Sequence, residues 1–397
     1  MISERFLSGI YTCRLNGWLV MLFLLLATSG CATRDHRLLA ETIAPAPAEQ
    51  LSAIHRIFVA TSRSRTQQPG VVFSGERTAD TAFAFVDISV PSVHKPGEIE
   101  RSPSPEVADP ARYFAARRVG LYDGDDSFRN ALRADIAARG GRALVFVHGY
   151  NTSFDEAVYR ITQIVHDAGY LGAPILFTWP SSARIIDYIY DNNSATAARD
   201  MLEATLRLVA AAGASRIDVV SHSMGAWVTM EALRQLALTG QKELGGTLGD
   251  VVLAAPDIDV DVFEAQMRRY GKPVSGFYVL TSEDDRALSL SRMIAGNQPR
   301  VGGYMDTYDL ASYGVTVLDV SGVASDGTGL NHTKFARSPL LVRLLGASLA
   351  DDARERADTT EIKRRIGAIT GGLGQTIGNA AGIIITTPFE VLNAVTR

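Results

Sequence analysis

Two apolar periods alternate along this chain from residue 143 to residue 320. Short stretches that are mostly apolar on both faces (143–147, 174–178, 217–220, 251–254, 277–280 and 315–320) have the length and β-branched content of buried strands. Between them the apolar positions recur every three or four residues: Val158, Ile161 and Val165, then Leu202, Leu206 and Val209. That spacing places them on one face of a helix. Residues 224–239 and 260–270 follow the helical pattern as well. Ser153 and Glu156 form a capping box at one helix start, Ser194 is a cap for the next, and Gly169 and Gly213 are stops. Upstream, residues 56–61 and 81–90 read as strands, and a Pro-rich loop over 102–110 leads to a helix carrying Phe128, Leu132 and Ile136. Strands apolar on both faces and joined by helices predict an α/β domain over 51–350. Its central sheet is mostly parallel and covered on both sides.

The ends have a different character. Arg5 and Arg14 flank an apolar core, 17–27, which is short for a bilayer span, and small residues lead to Cys31. The pattern resembles a bacterial lipobox, so residues 1–30 are expected to be a lipoprotein signal peptide. Cys31 is then the lipidated residue, on the outer membrane facing the periplasm. Residues 31–50, with alternating Ala and Pro at 44–48, read as a flexible tether. The tail, 351–397, has no charged residue between Arg365 and Glu390 and spaces Gly374, Gly378 and Gly382 four apart, which allows helix-mediated contact with the domain or a partner. Of 397 residues 46% are hydrophobic and 21% charged, with a net charge of −4, a balance that argues against nucleic acid as a partner. The two cysteines, Cys13 and Cys31, are both N-terminal, so no disulfide framework or cysteine metal site exists downstream. The pattern calls for no metal and no cofactor.

In a parallel sheet the chemistry gathers at the carboxyl ends of strands. After strand 217–220 comes Ser221-His-Ser-Met-Gly225, then a helix at once. A serine on a tight strand-to-helix turn stands clear of the backbone, where a base can reach it. Here serine replaces the first glycine of the G-x-S-x-G pattern. Ser223 is the candidate nucleophile. In the order Ser, acid, His, only His332 follows Ser223, and it is the candidate base. Asp285 after strand 277–280 is the candidate acid, with Asp284 and Asp257 as alternatives. The backbone N–H groups of Tyr150 and Met224 are candidates for the oxyanion hole, and Gly149 permits close approach there. Trp179, Tyr188 and Tyr190 are candidates for an acyl pocket, while His148 and His222 are read as holding loops.

Phe146–Asn151, Phe177–Ser181, the 221–225 elbow, Ala255–Asp257 and Asp285–Leu288 together resemble the bacterial α/β-hydrolases long catalogued as a domain of unknown function. Upstream, Val59–Arg63, Gly75–Arg77 and Val90–Glu98 resemble that family's N-terminal signature. The resemblance spans about residues 55 to 345. It implies the α/β-hydrolase fold without a large lid domain, and a triad on Ser223, Asp285 and His332, but no substrate. The expected activity is a serine hydrolase cleaving a small ester or acyl substrate through an acyl-enzyme. Acyl transfer, amide or thioester cleavage, or a non-catalytic envelope role are the alternatives.

Overall fold

The computed structural model describes residues 37–104, 106–323, 331–350, 364 and 382–388. The lipobox, Cys31 and most of the tail lie outside the described residues. One ten-stranded sheet organises the rest. Its strands are β1 (Leu51–Arg65), β2 (Phe73–Pro91), β3 (Ala115–Tyr122), β4 (Arg142–Val147), β5 (Ala173–Thr178), β6 (Arg216–His222), β7 (Leu248–Ala254), β8 (Phe277–Thr281), β9 (Thr316–Asp319) and β10 (Ile384–Thr386). Their order across the sheet is β10-β9-β8-β7-β6-β4-β5-β1-β2-β3. The pairs from β1 through β5, β4, β6, β7 and β8 to β9 are parallel. Antiparallel partners close the two sides, β2 and β3 at one and β10 at the other.

Helices α1 (Asp125–Ala138), α2 (Phe154–Asp167), α3 (Tyr188–Ala211), α4 (Met224–Leu238), α5 (Val260–Tyr270), α6 (Arg286–Ile294), α7 (Thr307–Ser312), α8 (Lys334–Arg337) and α9 (Pro339–Ala350) complete the described chain. Strand β4 shows why its run is apolar throughout. Ala143, Val145 and Val147 pack with α1, α3, α4 and α5, while Leu144 and Phe146 pack with α2 and α9. Successive side chains point to opposite faces, and both faces are dry. Ser153 caps α2 as a full capping box with Glu156.

The connectivity sets the site. After β4 the chain adds β5 on one side, then crosses to place β6 on the other side of β4. The change of direction falls at β4, whose carboxyl end lies beside that of β6. His148, Gly149 and Tyr150 follow β4 there and Ser223 follows β6, with Gly149 against Ser223.

Three local expectations are revised and one strand is added. Residues 37–50 are not a free tether: Leu38 and Leu39 donate to Gly70 O at 2.9 and 3.0 Å, and Thr42–Ile43 pairs with Val107–Ala108. Ser194 lies inside α3, where its hydroxyl bonds Tyr190 O at 2.9 Å, and the helix begins at Tyr188. Strand β3 is the addition, in a stretch to which the sequence pattern assigned no element. It is an edge strand whose Arg118 pairs with Asp87 on β2, so its arginine content hid it. The described end of the tail is a strand, β10, not a helix, and Gly382 before it packs on the backbone of Gly322.

Candidate active site

The β6 strand ends on Ser223, which has φ 54° and ψ −125°, and α4 starts at the next residue. A non-glycine residue with such angles is strained and persists only because its surroundings hold it. Two glycines make that possible. A Cβ on Gly225 would sit 2.3 Å from His148 O, and one on Gly149 would sit 2.8 Å from Ser223 Cβ. Only hydrogen at both positions lets the elbow press against the β4 loop. Ser221 replaces the expected first glycine without harm: it is fully buried and its hydroxyl reaches Val252 O on β7 at 3.4 Å.

His332 Nδ1–H donates to Asp285 Oδ2 at 2.7 Å. The other oxygen of Asp285 caps α6, accepting from the amides of Ala287 and Leu288 at 3.0 Å each. One carboxylate is thus oriented by a helix end and in turn orients the imidazole. Asp284 does something else. It pairs with the buried Lys334 at 2.8 Å and accepts from Asn331 Nδ2 at 2.9 Å, binding the acid turn to the histidine loop. Asp257 lies with Tyr188 Oη at 3.0 Å, Ser291 Oγ at 2.6 Å and Arg300 at 3.3 Å. Of the three candidate acids, the structure brings Asp285 alone onto His332.

His222, the residue before Ser223, supports His332. Its Nε2 lies 2.9 Å from His332 O, and the two rings are 4.5 Å apart. Phe335 stacks on its other side at 4.8 Å. Burial, then the neighbouring His332, pushes the His222 pKa well down, so the ring is neutral and its Nε2–H is the donor.

The β4 loop rests on a second polar layer. His148 is buried, and burial with the nearby Arg63 lowers its pKa to about 3. Its Nδ1 bonds Gly149 O at 2.8 Å, its Nε2 bonds Thr178 Oγ1 at 2.9 Å, and it stacks on Trp179 at 4.9 Å. Trp179 is therefore core, fully buried with Nε1 bonded to His148 O at 2.9 Å, and does not line a pocket. Arg63 is buried too. It donates to Thr178 Oγ1 at 2.8 Å, Ser74 O at 3.1 Å, Ser181 O at 3.0 Å and Thr152 O at 2.7 Å. Asp191 on α3 accepts from the amides of Asn151 at 3.1 Å and Ser182 at 2.7 Å. Burial raises its pKa against these bonds. Arg63 and Asp191 together fix the loops after β4 and β5. Sequence reasoning missed Asp191 and Lys334 and had Arg63 only within a motif, because their partners lie far along the chain.

Met224 opens α4, so its N–H has no partner within the helix by position. Tyr150 follows Gly149, and its hydroxyl donates to Ile185 O on the facing loop. Tyr188 bridges to α6 through Ser291 Oγ at 2.8 Å, and Tyr190 bonds Gly75 O at 2.9 Å.

The sequence pattern of the family described as "Alpha/beta hydrolase of unknown function (DUF900)" matches residues 124–348. The chain belongs to this family. The match takes in the elbow, Asp285 and His332, while β1 to β3 precede it. The α/β-hydrolase fold follows, and with it a hydrolase. Solved structures with a similar chain path include lipase B of Aspergillus fumigatus (14% identity, 61% of this chain and 62% of that one, TM-score 0.36). Others are an esterase of Pyrobaculum calidifontis (12%, 75% and 85%, 0.34) and esterases of Rhizomucor miehei (11%, 75% and 84%, 0.33). This chain spans 62% of the lipase B chain. None of the curated proteins matches the chain by sequence.

Proposed function

We propose that this α/β hydrolase cleaves carboxylic esters through an acyl-enzyme on Ser223. The observation that carries the reading is the Asp285–His332 pair at 2.7 Å, held by His222 against the strained elbow of Ser223. In this mechanism His332 Nε2 takes the Ser223 proton as Oγ attacks the acyl carbonyl. The Tyr150 and Met224 amides hold the oxyanion, and His332 then returns the proton to the leaving alcohol. Water, deprotonated by the same imidazole, attacks the ester of Ser223; the acyl carbon–Oγ bond breaks, the imidazolium returns the proton to Oγ, and the acid leaves. Asp285 fixes the tautomer and stabilises the imidazolium.

Apolar surface supports an aliphatic acyl group as the recognised part. Ile185, whose carbonyl accepts from the Tyr150 hydroxyl, and its chain neighbours Ile186 and Ile189 are 66%, 77% and 71% exposed. Leu290, Met293 and Ile294, on the helix that Asp285 caps, are also exposed. Among the described residues no helix is long and apolar enough to cross a membrane. We propose anchoring through lipidated Cys31, which Cys31→Ser would abolish in a radiolabelled-palmitate experiment.

The test of the chemistry is labelling with a fluorophosphonate probe and turnover of p-nitrophenyl esters. Both are expected in the wild type and lost in Ser223→Ala. Labelling that survives the substitution ends this assignment.

A further inference from the structure

The segment Val90–Glu98, a motif that the hydrolytic site does not use, folds into a second cluster of chemistry-bearing side chains. Three of the chain's seven histidines meet there with two carboxylates. His94 leaves the end of β2, His166 and Asp167 close α2, and His55 lies on β1. One ligand atom each from His94, His166 and Asp167 falls within 4.8 Å of the others. His94 Nε2 and Asp167 Oδ1 are 2.8 Å apart. The His94 and Asp167 side chains are 4% and 2% exposed.

We propose that His94 Nε2, Asp167 Oδ1 and a ring nitrogen of His166 form a binding site for a zinc-type divalent metal ion. The donor set, two imidazoles and one carboxylate, suits zinc and its transition-metal neighbours better than magnesium or calcium. Tetrahedral zinc–ligand bonds of about 2.0–2.2 Å set the ligand atoms roughly 3.3–3.6 Å apart, so His94 Nε2 and Asp167 Oδ1 would part slightly from 2.8 Å while the His166 nitrogen settles at that spacing, changes within reach of side-chain rotation.

The surroundings match what a metal requires of its outer shell. A ligating imidazole is normally held through its other nitrogen by a carboxylate. Glu100 Oε2 occupies His94 Nδ1 at 2.8 Å, and Glu100 is itself held by the Lys95 amide at 2.9 Å. Phe114 packs edge-on to the His94 ring at 5.1 Å. The second oxygen of Asp167 is taken by the Gly97 amide at 2.7 Å and by Gln163 Nε2 at 2.6 Å. His55 Nε2 lies 3.1 Å from His166 Nδ1 and Ser52 Oγ lies 3.3 Å from its Nε2, so these two side chains orient the ring and one of them gives way to the metal.

The cluster stands at the far end of α2 from the β4 loop, about 20 Å away for a 14-residue helix. The metal is therefore structural, tying the turn after β2 to the end of α2.

The experiment is isothermal titration of the untagged full chain, stripped with chelator, using zinc ion alone. One equivalent is expected to bind and to raise the thermal midpoint. Cobalt(II) in its place is expected to give visible bands of a low-coordinate nitrogen–oxygen site. His166→Gln, a partly exposed helix-end change that should leave the fold intact, is expected to weaken zinc about 100-fold or more. Asp200→Ala, an exposed position on α3, should change nothing. A wild type that takes up no zinc overturns the proposal, leaving His94 as an imidazolium between two carboxylates. Binding unchanged in His166→Gln overturns it equally.

Discussion

Gly149→Ala tests whether the β4 loop and the elbow act as one unit. Gly149 does not have the positive φ that would itself demand glycine, so the new methyl acts through space. It would meet Ser223 Cβ and His222 Nδ1 at 2.8 Å each and His222 O at 3.1 Å. Carbon atoms rest at about 3.6 Å, so the loop and the elbow must part by roughly 0.8 Å. Overpacking of this kind costs about 1–3 kcal/mol, offset by about 0.4–1 kcal/mol from a stiffer unfolded chain. The protein stays folded within an ordinary stability of about 5–15 kcal/mol. The same parting moves the Tyr150 amide away from the oxyanion formed at Ser223. A misplacement near 1 Å costs about 100-fold in rate. The assay is kcat/KM on a p-nitrophenyl ester, with urea unfolding alongside. Gly303→Ala is the control, because its methyl would meet nothing within 4 Å. A Gly149→Ala enzyme within threefold of wild type refutes the reasoning.

Asp285→Asn is expected to cut kcat about 10⁴-fold, since an amide no longer fixes the His332 tautomer. Asp257→Asn should spare most activity. Asp284→Asn strands the buried Lys334, and half of that carboxylate is already in water (44% exposed), so about 1–3 kcal/mol of stability is lost. A kcat loss in Asp284→Asn as deep as in Asp285→Asn, at equal folding, would reverse the acid assignment. Arg63→Lys leaves carbonyls unpaired that only a guanidinium fork reaches, and is expected to lower stability by about 2–5 kcal/mol in urea titration. A pH series tests the buried histidines. His222 has a folded pKa far below 6.5, so below that pH the unfolded chain binds a proton that the folded chain refuses. Its stabilising contribution is full above pH 6.5 and is lost as pH falls towards the folded value. His222→Gln should flatten the slope of stability against pH by about 1.4 kcal/mol per unit below pH 6, and an unchanged slope argues against a buried neutral ring.

Much of the fold was legible because it depends on local periodicity. The apolar strands, the capping box at Ser153 and the helix 260–270 each need only neighbours within a turn or two. Strand β3 and the start of α3 were missed for the opposite reason. An edge strand can carry the exposed Arg118 because one side faces water, and Ser194 bonds back to Tyr190 inside a helix as readily as it caps one.

For the site, chain order and the ends of strands singled out Ser223, His332 and three candidate acids. Choosing among the acids needed distance. Asp284 and Asp285 are adjacent, and only the turn before α6 sends one to Lys334 and the other to His332. The network of Arg63, Asp191 and His222 is invisible in sequence, since its bonds span up to 118 residues. Of the cluster of His94, His166 and Asp167 only the adjacent pair His166-Asp167 is local in sequence; His94 lies 73 residues before Asp167 and reaches it because the turn after β2 folds onto the end of α2. Residue type and period, which act over a few residues, determine the elements and the reactive candidates. Which polar groups face one another is decided only when crossovers carry distant segments to a common strand end, where burial forces each to find a partner.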